Sequence, residues 1–266
     1  MELRSEQVRK RILSMAYDCG RSAHIGGSLS MAEILTVLYR DVMHYKCNEM
    51  WWEDRDRFFL SKGHCVLALY AILAELSVLK EDEVASYLQD GSIFGSHPVI
   101  DIAHGIECSS GSLGQGISLA LGTAKALKLQ NKESKVFTLV GNGECNEGSV
   151  WEAFLLAGQW KLDNLTILID NNNLQSDGRS LDIINFSNLK ERLSGFDMFV
   201  IEVDGHNEAE LKDAFFMDSE GKTKVIICNT IKGKGVSFME NNNEWHHNRL
   251  SKEKFDQAMQ EIGICC

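Results

Sequence analysis

Apolar positions along the chain recur with two different periods. Val8, Ile12, Met15 and Ala16 fall at helical spacing and predict a helix over residues 5–19. Ser30, followed three residues on by Glu33, is a capping-box pattern. It predicts a second helix whose apolar face runs through Ile34, Leu35 and Leu38. The run RFFLS at 57–61 reads as a short strand, and residues 65–76 and 81–88 read as helices. Residues 90–116 are rich in Gly, Ser and His without a clear period and predict a long loop of the kind that carries function. From Leu113 the pattern becomes regular, opening with a small-residue helix (LGQGISLALGTAKAL) and strand 135–140. Helix 148–160, strand 165–170, a helix near 188–193, strand 199–203, helix 208–216 and strand 224–229 follow. Strands alternating with helices predict an α/β fold, a mostly parallel sheet covered on both faces. Ligands of such sheets sit outside the carboxyl ends of the strands. No repeat, low-complexity tract or linker divides the chain, and its single proline, Pro98, lies in the long loop, so residues 1–266 read as one domain.

Composition narrows the partners. A formal net charge of −11 repels a polyanion, so a nucleic-acid partner is not expected. A small anion is still admissible, because local backbone dipoles can hold one. No stretch approaches the roughly 18 apolar residues of a membrane span, and the charged start MELRSEQVRKRIL is no signal peptide. The eight cysteines form no C-x-x-C pair and are expected to be reduced, mostly buried thiols of a cytoplasmic protein. The adjacent Cys265 and Cys266 read as a frayed tail, with a redox-active pair as the alternative.

The most informative stretch is VFTLVGNGECNEGSVWEAFLLAGQWKLDNLTILIDNNNLQSDG, residues 136–178, which pairs two strand ends. The first ends in Gly141-Asn142-Gly143 and the second in Asp170-Asn171-Asn172-Asn173. Glycines bracketing a polar side chain let backbone approach a bulky anion, and the following helix directs its N-terminal dipole to the same place. Amide oxygens of Asn142 and Asn172 are hard ligands suited to Mg²⁺ or Ca²⁺. A plain structural turn would show the same glycines. The spacing is similar to the thiamine diphosphate motif G-D-G-x-(about 25–30)-N-N. That resemblance implies Gly141, Gly143 and Glu144 as cofactor-binding, with Asn142, Asn172 and the Leu174 carbonyl as metal ligands. Asn142 stands where the motif usually has Asp, so the ligand brings no charge.

Five further segments resemble transketolases in family order across residues 5–250. They are His24-x-Gly26-Gly27-Ser28-Leu29, the run Asp54 to His64 (DRDRFFLSKGH), Gly95-Ser96-His97-Pro98, Cys108 to Gly116 (CSSGSLGQG), and Glu244-Trp245-His246. The resemblance implies that His24, His64, His97 and His246 line a substrate channel, contact sugar hydroxyls and move protons, a task imidazole suits. His64 and His246 would also touch the cofactor. Gly111, Ser112 and Leu113 would bind its ring, with Leu113 packed against the thiazolium. Glu147 would sit at a subunit interface, hydrogen-bonded to a partner's catalytic Glu. Its plainer reading is an acid complementing a helix dipole. His247 follows His246 directly, so the register of that segment stays open. His104 and His206 read as structural, and Lys232 and Lys234 as either phosphate-attracting or a solvated turn.

The resemblance implies the diphosphate-binding N-terminal subunit of a split, thiamine-diphosphate-dependent transketolase that needs Mg²⁺ or Ca²⁺. It would transfer a two-carbon ketol unit between sugars or sugar phosphates. The pyrimidine-binding domain would then come from a C-terminal partner subunit, in an α2β2 or similar assembly. A deoxyxylulose-phosphate-synthase-like or acyl-transferring relative is one alternative. A non-catalytic subunit with a decayed metal site is another, raised by Asn142. A dinucleotide-binding domain would want G-x-G-x-x-G after its first strand, which is absent.

Overall fold

The computed structural model describes residues 3–264. Eleven α-helices are found among them: α1 (Ser5–Asp18), α2 (Gly26–Leu29), α3 (Ala32–Val37), α4 (Val66–Glu75), α5 (Glu81–Ala85), α6 (Gly116–Leu129), α7 (Gly148–Trp160), α8 (Ser180–Ile183), α9 (Leu189–Ser194), α10 (Glu208–Phe216) and α11 (Lys252–Ile264). The strands are β1 (Arg57–Leu60), β2 (Val136–Gly141), β3 (Leu165–Asn171), β4 (Leu174–Gln175), β5 (Gly178–Arg179), β6 (Phe199–Asp204) and β7 (Lys224–Asn229).

Five strands form one sheet in the order β1-β2-β3-β7-β6, every pair parallel. The central strands are buried on both faces, which is why they read as continuous apolar runs rather than as alternation. The pleat sends neighbouring residues to opposite cores. Phe58, Phe137, Leu139, Leu168 and Ile226 face a core built with α1, α3, α4, α10 and α11. Phe59, Val140, Ile167, Ile169 and Ile227 face a second core built with α6 and α7. The predicted α/β class is therefore the observed one. The bounds of α7, α10 and β7 coincide with those predicted, and the segment 90–116 is irregular apart from a 3₁₀ turn at Ile102–His104 and an isolated bridge from Asp101 to Ile106.

Two expectations are corrected. The capping box at Ser30 and Glu33 does not form. Ser30 closes α2 instead, donating its hydroxyl to the Gly27 carbonyl and to Asp170. Met31 precedes α3 without a side-chain cap, and Glu33 pairs with Arg9 and His206. The helix expected from Leu113 starts at Gly116, because Gly114 takes a left-handed φ of +79° that no helix continues through. The β4–β5 hairpin and α11 were not anticipated; α11 packs on α1 with Phe255 stacked on Tyr17 at 4.5 Å. Among the described cysteines all six are free thiols, five of them buried, and Cys265 and Cys266 lie outside the described residues. Among the described residues no helix is long and apolar enough to cross a membrane.

Candidate functional site

The parallel register sets Gly141 of β2 beside Asp170 of β3, so both strand ends open at one edge of the sheet. The turn after β2 is anchored by the Asn142 N–H, which donates to the Asp170 carbonyl at 3.1 Å. Glu144, buried in the 3₁₀ turn that follows, ties three segments together. Its carboxylate accepts from Ser61 Oγ, from the Gly114 N–H at 2.8 Å and from the Gly141 N–H at 3.1 Å. Burial pushes the Glu144 pKa up, against the pull of those donors. Gly143 is required by space, since a Cβ there would stand 2.8 Å from Gln175 Cβ, an atom tied to the β4 backbone.

Beneath the turns lies a polar network that the sequence did not single out. Asp170 is fully buried and accepts from Lys62 Nζ, Thr230 Oγ1, Ser30 Oγ at 2.7 Å and Asn172 Nδ2 at 2.9 Å. Burial alone would raise the Asp170 pKa, but Lys62 and the hydroxyl donors outweigh it and hold the carboxyl below its usual range. For Lys62 burial opposes the charge, yet the Asp170 carboxylate prevails and its pKa is raised. The network fixes Asn172, whose Oδ1 in turn accepts the Leu174 N–H at 3.1 Å.

The cleft above brings most of the predicted residues together. His24, His64 and His246 line it together with Gly111 and Leu113. Gly141, Asn142, Gly143, Glu144, Asn172 and Leu174 from the two strand-end turns line the same cleft. His97 stands beside this group, its ring 5.8 Å from that of His24. The His24 ring is also 5.3 Å from His64, 5.4 Å from His246 and 4.4 Å from His247. The open register thus resolves into two roles: His246 faces the cleft, while exposed His247 packs on His24 at the rim. Ser112 is exposed and outside the cleft lining. Glu147 is exposed at the N-cap of α7 and makes no side-chain cap. His104 pairs with Asp101 and Glu83, and His206 bridges Glu33 to the Ile231 N–H, both as structural groups.

Burial and neighbouring groups hold His24, His64, His97 and His246 below the usual imidazole range. Burial first, then the neighbouring imidazoles and Lys232, lower His24 to about 3. The same causes, with Lys232 foremost among the charges, lower His246 to about 4. Burial and Lys62 depress His64, and burial lowers His97. Lys232 is no solvated turn residue. It is buried with Nζ 2.9 Å from His246 Nδ1, and desolvation lowers its pKa to about 8. Lys234 stands apart from the cleft, near Glu240. Lys62 sits within the run SKGH, the signal that could have marked it, while Lys232 belongs to the run IKGKG that the sequence already brought forward.

Among the described residues no three His, Cys, Asp or Glu side chains are grouped to hold a metal ion. A cation here would rest on amide and carbonyl oxygens, donors that hard divalent ions accept. The donor set fits. Asn142 gives its Nδ2 to Ser180 and Asn172 its Nδ2 to Asp170, so both point their nitrogens at the chain; the Asn172 oxygen accepts the Leu174 N–H and has a second lone pair for a cation. The Ser180 N–H bonds the Asn173 carbonyl, which makes Leu174 and Arg179 a non-hydrogen-bonded pair and frees the Leu174 carbonyl from the ladder. The cleft holds about 200 Å³, less than the ~300–1,000 Å³ of a complete small-molecule site.

A parallel α/β sheet with a glycine-and-amide cradle at two adjoining strand ends, faced by clustered histidines, defines a domain built to hold a small anionic ligand. Residues 5–265 match the family model described as transketolase, thiamine diphosphate binding domain, and the chain belongs to that family. It is 37% identical over 265 residues to an apulose-4-phosphate transketolase subunit from Phocaeicola vulgatus, covering 99% of this chain and 94% of that one. It is 37% identical to a 6-deoxy-6-sulfo-D-fructose transketolase subunit from a Clostridium species, over 90% of this chain and 88% of the relative. The transketolase of Leishmania mexicana superimposes with a TM-score of 0.89 at 29% identity, covering 99% of this chain. The chain spans 42% of that longer protein's length.

Proposed function

We propose that this chain is the diphosphate-binding subunit of a two-subunit transketolase that transfers a two-carbon ketol unit from a ketose to an aldose. The observation that carries the reading is the convergence of His24, His64 and His246 on the cleft that also holds both strand-end turns. Relatives named as transketolase subunits match this chain over 88–94% of their own length, which supports a separate partner subunit carrying the pyrimidine-binding domain. Outward-facing Leu119 of α6 and Leu155 of α7, 48% and 57% exposed, offer an apolar surface for such a partner in an α2β2 assembly. The names of those relatives point to ketoses bearing a terminal phosphate or sulfonate as the substrate class.

Thiamine diphosphate, when bound, supplies the nucleophilic carbon and the electron sink for cleaving the bond beside a ketose carbonyl. Asn142 Oδ1, Asn172 Oδ1 and the Leu174 carbonyl would hold Mg²⁺ or Ca²⁺ against its diphosphate. Gly141 and Gly143 admit the phosphates to the backbone, and Leu113 offers an apolar surface for the ring, flanked by Gly111. Lys232, with a pKa of about 8, is mostly cationic at neutral pH and adds a positive charge to the cleft lining, which suits a diphosphate. Neutral His24, His64, His97 and His246 can each donate and accept a hydrogen bond, which suits gripping sugar hydroxyls and passing protons between them. Glu147, exposed at the head of α7, is free to meet a carboxylic acid of the partner. Ser112 and Glu144 serve this reading less directly: Ser112 lies beside the cleft, and Glu144 acts by joining the two glycine turns.

The test is co-purification with the partner subunit followed by a thiamine diphosphate binding titration. Tight, metal-dependent binding by the complex and weak binding by either chain alone is the expected result. Equal cofactor affinity with and without the partner would refute the shared-site reading.

A further inference from the structure

A chain of three hydrogen bonds ends on the His246 ring. Asn243 Nδ2 donates to the Ser176 carbonyl at 2.7 Å. A carbonyl only accepts, so this contact fixes the amide and leaves Asn243 Oδ1 as the end that meets Lys232 Nζ, 3.1 Å away. The same Nζ stands 2.9 Å from His246 Nδ1. An ammonium carries three donors and no acceptor, so both contacts run outward from Lys232. The ring cannot turn over, because a C–H would then face the ammonium in place of Nδ1. Lys232 is held in place by burial. It is 2% exposed, and a Cβ on Gly26 would stand 3.2 Å from its Cγ. Asn243 and His246 ride on one 3₁₀ turn, which keeps the two acceptors together.

We propose that Lys232 is a positioning residue that locks His246 in one tautomer: Nδ1 accepts from the lysine, the ring proton sits on Nε2, and His246 serves the cleft as a hydrogen-bond donor. The bond made by one nitrogen of a neutral imidazole decides where the proton sits on the other. No other hydrogen bond to the His246 ring is found among the described residues, so Nε2–H is left for a ligand oxygen. The neighbouring rings have no such lock. His24 Nδ1 is buried without a partner. His97 Nδ1 meets the Ser96 hydroxyl, which can donate or accept and so commits neither nitrogen. The inference rests on Proposed function only for the identity of the oxygen, which that reading places on the sugar.

The experiment reads the ring nitrogens of His246 in the full chain by long-range ¹⁵N–¹H NMR at pH 7, with H246Q to assign its signals. At that pH Lys232, at about 8, is mostly charged and His246, at about 4, is neutral. The wild type should show Nδ1 as a bare lone-pair nitrogen and Nε2 as a protonated one. K232M should populate the second tautomer, which draws the two nitrogen shifts toward each other from opposite sides. K232R keeps a charged group that only donates and should restore the wild-type separation. A proton on Nδ1 in the wild type overturns the proposal, and that reading needs no variant to fold. Spectra of K232M identical to wild type also overturn it, as does movement of Nδ1 alone, which marks proton uptake rather than tautomer exchange. A locked tautomer in a chain whose complex moves no ketol unit would sink the reading of Proposed function and leave the role of Lys232 standing.

Discussion

Replacing Asp170 by Asn tests the network on which the cleft is built. The change keeps the shape of the side chain and removes its charge. Asp170 accepts from four donors, and without its carboxylate Lys62 is left with neutral acceptors such as the Gly27 carbonyl, 3.2 Å from its Nζ, and no anion. A buried cation left without its anion costs about 3–5 kcal/mol. Lys62→Met should cost less, about 2–3 kcal/mol, because Asp170 retains the hydroxyls of Ser30 and Thr230 and the amide of Asn172. The pH dependence has a definite sign. In the wild type the Lys62 pKa is raised, so its contribution is complete below the unfolded lysine value and is lost only as pH climbs through the folded one. In Asp170→Asn the folded Lys62 pKa drops below the unfolded value of about 10.4, the unfolded state binds more protons, and stability recovers as pH rises. Urea unfolding of the full chain at pH 7 and pH 9.5 measures both effects. A loss below about 1 kcal/mol at pH 7, or a deficit that grows toward pH 9.5, would show that Lys62 and Asp170 are not a coupled buried pair.

His64→Ala and His97→Ala should each lower turnover of the assembled enzyme by roughly 10²–10⁴-fold with a much smaller loss of stability, read by steady-state kinetics beside urea melts. Activity within a factor of two of wild type would make these rings structural. Asn142→Asp should lower the Mg²⁺ midpoint for thiamine diphosphate binding in the complex, since a charged ligand strengthens such sites. An unchanged or higher midpoint would remove Asn142 from the ligand set. Acid should destabilise the chain through the histidine cluster. The folded pKa values of about 3 for His24 and about 4 for His246 lie below the unfolded value, so unfolded rings take up protons first and stability falls from about pH 6.5 toward pH 4. The Cε1–H resonances of His24 and His246 should then stay at neutral-imidazole shifts at pH 5.

Much of this architecture was legible because its signals are local. β2, β3 and β7 are long apolar runs, and α7 and α10 are bounded by the polar and glycine residues that end such runs. The pattern Phe255, Ala258, Met259, Ile262 marks α11 as plainly as Val8, Ile12 and Met15 mark α1, and it is the readable signal that was missed. Ser30 and Glu33 show where local reading fails. Each makes a stronger tertiary bond, to Asp170 and to Arg9, than a helix cap would offer. The Lys62–Asp170 pair joins positions 108 apart, and nothing in a single sequence couples them. The histidines were found through motif resemblance rather than spacing, since His24 and His246 meet only because the chain returns to the same strand ends. Which of His246 and His247 enters the cleft depends on the backbone of one 3₁₀ turn, Asn243–His246, and no side-chain pattern records it.

The most direct test of the central claim is a transfer assay that compares the chain alone, the partner alone and their complex. Each receives thiamine diphosphate, Mg²⁺, a phosphorylated ketose and an aldose acceptor, with products resolved by mass. The account predicts an acceptor lengthened by two carbons in the complex and no product from either chain alone. Two-carbon transfer by the isolated chain, or a complex that binds thiamine diphosphate and moves no ketol unit from any ketose offered, would contradict it.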